Sequence, residues 1–251
     1  MRNIILVGSG NVSTQLGIAL KSQHYNIVQV YSRSIKNASK LARRLNTDFT
    51  DDISFLKKAE LIIVSVNDDA ILHLIQKLKN TAIVHTSGSI DISIFESKFS
   101  NFGVFYPLGT FNKEIDSDMS EVPLCIEANS LRFEKKLTLI ANNISSNVVM
   151  MSSEQRRKLH IAAVFACNFS NHMFSIADEI LSNSNIDFKI LLPLINNTIY
   201  KIQKNKPKSV QTGPAKRKDM LIIDKHISLI KQNEIKELYS KISDNIIKSH
   251  E

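Results

Sequence analysis

Thirteen residues, HIAAVFACNFSNH at positions 160–172, set a few polar side chains into an otherwise apolar run. His160, Asn168 and Asn171 are separated by eight and three residues, spacings that place all three near one stripe of a helix. Polar groups on an apolar helix need partners, because burying them unpaired costs a few kcal/mol. A bound ligand would supply such partners. His160 is the titratable member of the stripe, and an imidazole can give or take a proton near neutral pH. A hydrogen-bonded core or interface histidine would fit the same pattern. His172 adds a further nitrogen, but no second histidine or acid stands at metal-ligand spacing, so no metal site is expected.

A second chemical signal opens the chain. The apolar run NIILV leads into GSGNVS, then an apolar-periodic segment, then the β-branched run IVQVY, all within about thirty residues. Strand, glycine loop, helix and strand in that order form a dinucleotide-binding fingerprint. Gly8 permits the tight turn, and Gly10 lets backbone approach a pyrophosphate at the head of the helix. Asn11 and Val12 complete the candidate contacts of this loop. Ser13 replaces the usual third glycine and is still small. The second strand ends on Ser32, Arg33 and Ser34, where an NAD-binding chain carries an acid on the ribose hydroxyls. A guanidinium takes a phosphate bidentately, and a carboxylate would repel it. The expected cofactor is therefore NADP.

These residues need a scaffold to hold them. Strand patterns at 3–7, 27–31, 61–66, 82–84 and 103–106 alternate with helical patterns at 11–20, 37–45 and 70–78. That alternation predicts βαβ units and a mostly parallel, doubly wound α/β sheet. A further strand, helix and strand at 123–127, 131–141 and 147–150 extend its far edge. After 151 no strand pattern appears. Helices are expected over 155–181, 186–202 with a kink at Pro193, 219–230 and 234–247, with Pro214 in a first helical turn. This divides the chain into a dinucleotide domain, 1–151, and an all-helical domain, 152–251.

Bulk properties agree with such a fold. The 251 residues are 43% hydrophobic and 22% charged, ordinary for a globular protein. No apolar run reaches the roughly 18–20 residues of a membrane span, and a cytoplasmic protein is expected. Cys125 and Cys167 lie in apolar surroundings and read as buried thiols. The net charge of +8 is spread along the chain except at 204–219, where six basic side chains face Asp219. No aromatics interleave there to stack on bases, which argues against nucleic acid.

GSGNVS, VYSRS, HTSGS, GVFYPLGTF, HIAAVFACNFSNH and TGPAKRKD together resemble the Rossmann-like proteins with a DUF2520 C-terminal domain. These are relatives of pyrroline-5-carboxylate reductase and, more distantly, of ketopantoate reductase and β-hydroxyacid dehydrogenases. The resemblance covers nearly the whole chain. It implies an NADP-binding domain and a helical domain that pairs two subunits. Gly109 stands where the family usually has Gln, and Lys218 where it usually has Gly. Relative to β-hydroxyacid dehydrogenases, the Lys four residues before the helix Asn is replaced by Val164.

On that resemblance Val66 and Asn67 border the ribose next to nicotinamide, while Thr86, Ser87, Gly88 and Pro107 flank the ring and the substrate. Asn67 also reads as a helix cap, and Ser87 as a turn residue. The candidate catalytic set is His160, Asn168 and Ser87. Asn171, Arg217 and Asp219 are the candidate substrate contacts. The sequence points to an NADP-dependent oxidoreductase acting on a small, anionic carbonyl or imine in a cleft between domains, built as a homodimer. A non-enzymatic NADP-binding sensor or scaffold is the alternative.

Overall fold

The computed structural model describes residues 1–251. It divides into two compact units, 1–173 and 174–251. The change of sequence pattern at 151–152 falls earlier, where the last strand gives way to a helix.

The first unit is built on one eight-stranded sheet in the order β3-β2-β1-β4-β5-β6-β7-β8. Its strands are β1 (Asn3–Val7), β2 (Asn26–Tyr31), β3 (Asp48–Thr50), β4 (Leu61–Val64), β5 (Ile83–His85), β6 (Phe102–Pro107), β7 (Leu124–Ala128) and β8 (Val148–Met150). All pairings are parallel except β6 with β7. Residues Ile4 to Val7 and Leu61 to Val64 are buried on both faces, which is why these strands read as unbroken apolar runs.

Helices α1 (Asn11–Ser22), α2 (Ile35–Leu45), α3 (Asp68–Ile75) and α4 (Leu131–Ile144) cover the faces. In α2, Ala38, Leu41, Ala42 and Leu45 recur at helical spacing and are all buried. Ser34 caps that helix by accepting from the Asn37 amide, and left-handed Asn46 ends it with bonds to the Ala42 and Arg43 carbonyls. One core lies beneath α1, α2 and α4, and a second lies under α3 and the turn carrying Phe95.

Several expectations are corrected. The strand β3 was not read, because a three-residue edge strand of sequence DFT carries no apolar run. The fourth strand ends at Val64, so Ser65 and Val66 already belong to the loop beyond it. The expected long helix is three pieces: α5 (Ser153–Ala163), a π-helix (Val164–Phe169) and α6 (Ser170–Ser182). Cys125 is buried, but Cys167 is exposed.

The second unit contains α7 (Leu192–Lys204), α8 (Met220–Leu229) and α9 (Asn233–Ser249). Pro193 sits in the first turn of α7, where its missing N–H costs nothing, and makes no kink. Pro214 lies in a turn, and α8 starts six residues later with Asp219 as its cap. Within this unit His226 Nδ1 meets Tyr239 Oη at 2.7 Å, tying α8 to α9. Lys218 takes φ 55°, the left-handed region in which a glycine would be unstrained. No helix is long and apolar enough to cross a membrane.

Candidate active site

The order of the sheet reverses between β1 and β4, and loops beyond the strand ends there form the crevice that ligands use in this architecture. Gly8 leaves β1 with φ 122°, and a Cβ on it would lie 2.1 Å from the Ser65 carbonyl oxygen. Only glycine fits. A Cβ on Gly10, in contrast, would meet no protein atom within 4 Å, so the head of α1 opens onto free space. Ser13 is fully buried and donates to the Gly8 carbonyl at 2.7 Å, while Thr14 donates to the Gly10 carbonyl at 2.9 Å. Both hydroxyls hold the loop from within the helix.

A cavity of about 410 Å³ opens beside this loop. Gly8, Gly10, Ser32, Arg33, Val66 and Asn67 line it, as the sequence led us to expect of cofactor contacts. Ser9 donates to Ser32 Oγ at 2.9 Å, joining the glycine loop to the end of β2. The sequence reading missed His73 and Lys77 on and after α3, and Lys113 from a distant loop, all of which line the same cavity. No carboxylate lines it. Cations grouped around a glycine loop, with no carboxylate in the cavity lining, suit a polyphosphate ligand. Asn67 occupies the cap position of α3, yet its side chain makes no capping bond.

The other candidates lie elsewhere. Ser34 caps α2, and the Asn11 side chain accepts from the Lys113 amide at 3.1 Å. Val12 packs against the core beneath α1. Thr86 donates through its amide to Val64 at 3.0 Å. Pro107 ends β6 opposite Leu124.

A second cluster gathers at the ends of β5 and β6. His160 on α5 meets Tyr106, on β6, with Tyr106 Oη and His160 Nδ1 3.0 Å apart. Gly88 packs directly on the imidazole: a Cβ there would lie 2.6 Å from His160 Cγ. The close approach of α5 to this turn therefore needs a glycine at 88. Ser87 Oγ accepts from the Ser89 and Ile90 amides at 3.0 and 3.1 Å, so it shapes the turn. His85 is fully buried, and its Nδ1 accepts from the Ser87 amide at 3.1 Å. Burial, helped by the nearby Arg156 guanidinium, depresses the His85 pKa to about 3, so this ring stays neutral. Burial pushes the Tyr106 phenol up to about 12, which keeps it protonated and available to hold His160.

What fixes α5 in place was not legible in the sequence. Arg156, one turn before His160, is fully buried. It pairs with Glu127 of β7, donates to the Ile90 carbonyl, and donates to Ser153 Oγ at 3.1 Å. Glu127 also accepts from the Ser153 amide at 2.9 Å and hydroxyl at 2.7 Å. These bonds join the start of α5 to β7 and to the turn carrying Gly88.

Asn168 and Asn171 are exposed rather than buried, so the burial argument for their pairing does not hold. Asn168 falls in the π-helix, a distortion that often marks functional positions. Gly109 packs on its own neighbour: a Cβ there would meet the Phe111 ring at 2.7 Å. Arg217 and Asp219 belong to the second unit, where Asp219 accepts from the Ile222 amide and caps α8.

The fold and this geometry define a dinucleotide-binding Rossmann-like chain with an added helical region. A Rossmann-like domain model matches residues 2–108, and the domain of unknown function DUF2520 matches 122–246. The chain belongs to the family of Rossmann-like proteins with a DUF2520 domain. It is 39% identical to a Bacteroides fragilis protein solved as a candidate NADP oxidoreductase, over 98% of both chains with a TM-score of 0.94. Two more distant structures share the fold. The 1-pyrroline-5-carboxylate reductase of Streptococcus pyogenes is 10% identical over 99% of this chain and 97% of its own, with a TM-score of 0.67. An imine reductase of Myxococcus stipitatus in complex with NADP+ is 14% identical over 98% of this chain and 92% of its own, with a TM-score of 0.63. No curated protein matches the sequence.

Proposed function

We propose that this protein is an NADP-dependent oxidoreductase that reduces, or forms by the reverse reaction, a small anionic imine or carbonyl compound. The observation that carries the reading is the carboxylate-free, cation-lined cavity around Gly8, Gly10, Ser32 and Arg33. The names of the similar proteins, a candidate NADP oxidoreductase, a 1-pyrroline-5-carboxylate reductase and an imine reductase, support the same class. In this reading Ser32 and Arg33 hold the 2′-phosphate, and the Gly8–Gly10 backbone faces the pyrophosphate.

When bound, NADPH supplies the hydride. The chain's part is the proton. In this reading His160 would give its Nε2 proton to the substrate nitrogen or oxygen while the bound dinucleotide would supply hydride to the carbon, so the C=N or C=O double bond would become a single bond with a new C–H and a new N–H or O–H. The neutral imidazole left behind keeps its Nδ1 proton on Tyr106 Oη. By occupying Nδ1, Tyr106 orients the ring and leaves Nε2 as the reacting nitrogen. Asn168 and Asn171 are candidates to hydrogen-bond the substrate. A sensor that binds NADP without turnover remains the second reading, favoured by Val164 at the position where β-hydroxyacid dehydrogenases carry a Lys.

Arg33→Asp should reverse the cofactor preference. It exchanges a phosphate partner for an acceptor of ribose hydroxyls, an effect of about 1–3 kcal/mol. Calorimetric titration with NADPH and NADH checks this, and an unchanged preference in the variant would remove Arg33 from the site.

We also propose a cytoplasmic homodimer. No residue of α6 or α7 is buried, and Phe165 and Leu194 are 66% and 62% exposed. Apolar helix faces of this extent match the surfaces that obligate dimers cover. Sedimentation equilibrium should give twice the chain mass of 28.3 kDa. A single-chain mass at micromolar concentration would count against pairing.

A further inference from the structure

The loop after β6 runs back across the dinucleotide fold and is fixed there by contacts far apart in sequence. Gln15, buried on α1, donates to the carbonyls of Asn112 and Ile115, both at 2.7 Å, and accepts from the Ser117 amide at 3.0 Å. The Asn11 side chain accepts from the Lys113 amide, and Arg44 of α2 donates to the Lys113 carbonyl at 2.7 Å. Lys40 pairs with Glu114 at 2.9 Å, and Arg44 pairs with Asp116. The backbone on both sides of Lys113 is thus clamped to α1 and α2.

The charges around this segment are unevenly matched. Lys40 and Arg44 are neutralised by acids of the strap itself, whereas the Lys113 ammonium enters no ion pair. Its side chain lines the large cavity together with Ser9, Asn37 and Arg33, and a small neighbouring one with Ser9, Thr14 and Asn37. A cation held by its backbone, in no salt bridge although it acts on Glu114 next to it, and lining a carboxylate-free cavity, is suited to a phosphate. The strap comes about 100 residues after the glycine loop, outside any dinucleotide fingerprint.

We infer that Lys113 is a phosphate-binding residue of the dinucleotide site, and that Gln15 is the positioning residue that holds its strap in place. The inference rests on the cofactor reading above and adds to it a phosphate contact made by a loop beyond the βαβ unit.

The test is calorimetric titration of native protein, Lys113→Met and Lys113→Arg with NADPH and with NADH at one salt concentration. Lys113→Met should weaken NADPH about tenfold, Lys113→Arg should restore most of that loss, and the melting temperature without cofactor should not move. A loss shared by both cofactors places Lys113 on the pyrophosphate. A loss for NADPH alone places it on the 2′-phosphate. Affinities within twofold of native for both would overturn the inference while leaving the cofactor reading intact. Failure of the native protein to bind either dinucleotide would overturn both. Gln15→Leu should reproduce the loss, and the Gln15→Leu/Lys113→Met pair should lose no more than Lys113→Met alone. Additive losses would remove Gln15 from this role.

Discussion

Glutamine in place of His160 is expected to lower turnover by about 10²–10⁴-fold, the range a positioned general acid contributes. The substitution separates proton transfer from architecture. Glutamine nearly matches the imidazole in length, and its amide can still bond Tyr106 Oη, which sits 3.0 Å from Nδ1 in the native protein. It has no proton to give near neutral pH. Stability should fall by no more than about 1 kcal/mol, the worth of one hydrogen bond, and NADPH affinity should stay within a fewfold of native. A purely structural histidine predicts the opposite pattern: a loss of melting temperature with turnover little changed. Thermal melts with and without NADPH make the first distinction before any substrate is known. Rates of NADPH consumption then decide the matter.

Arg156→Met should cost about 3–5 kcal/mol of folding stability, the usual effect of breaking a buried ion pair from one side. Against a total of about 5–15 kcal/mol for a typical domain, that is a large fraction. The guanidinium is fully buried, and its partner Glu127 is 17% exposed. Methionine fills much of the space but leaves the carboxylate facing an apolar side chain. The Ile90 carbonyl loses its donor as well. Adding Glu127→Gln should return part of the loss, because the amide oxygen can still accept from the Ser153 amide while the stranded charge is gone. Urea denaturation of native, single and double variants measures this. A single variant within about 1 kcal/mol of native would show that the cluster contributes little to holding α5.

The parts of this protein legible in its sequence are those governed by local rules. Unbroken apolar runs such as 4–7 and 61–64 announce strands buried on both faces. Gly8 announces a backbone that no other residue can follow. Ser32 and Arg33, read from the sequence at the end of a strand, line the cavity beside the glycine loop. What stayed hidden depends on partners far away in the chain. Arg156 in SEQRRKLH looks like a surface arginine of a polar helix, until β7 supplies Glu127 and the turn after β5 supplies the Ile90 carbonyl. Gln15 looks like a solvated helix position, but the strap about 100 residues on buries it. The π-helix at Val164–Phe169 leaves no mark in a pattern judged at 3.6 residues per turn, and it alters the stripe on which Asn168 and Asn171 were placed. Tyr106 was read as the last residue of a strand, and only the folded sheet shows its hydroxyl on His160.

In the proposed function one dinucleotide spans the strand ends from Arg33 to the Tyr106–His160 pair, and His160 serves the carbon that exchanges hydride. A crystal structure of the NADP complex measures this as the distance from His160 Nε2 to nicotinamide C4. With a substrate carbon about 3–3.5 Å from C4 and its nitrogen or oxygen within hydrogen-bond reach of Nε2, that distance should be about 6 Å, with the 2′-phosphate on Ser32 and Arg33. A nicotinamide ring directed away from the pair, with C4 beyond about 10 Å of Nε2, is too far for a donor within hydrogen-bond reach and would contradict it.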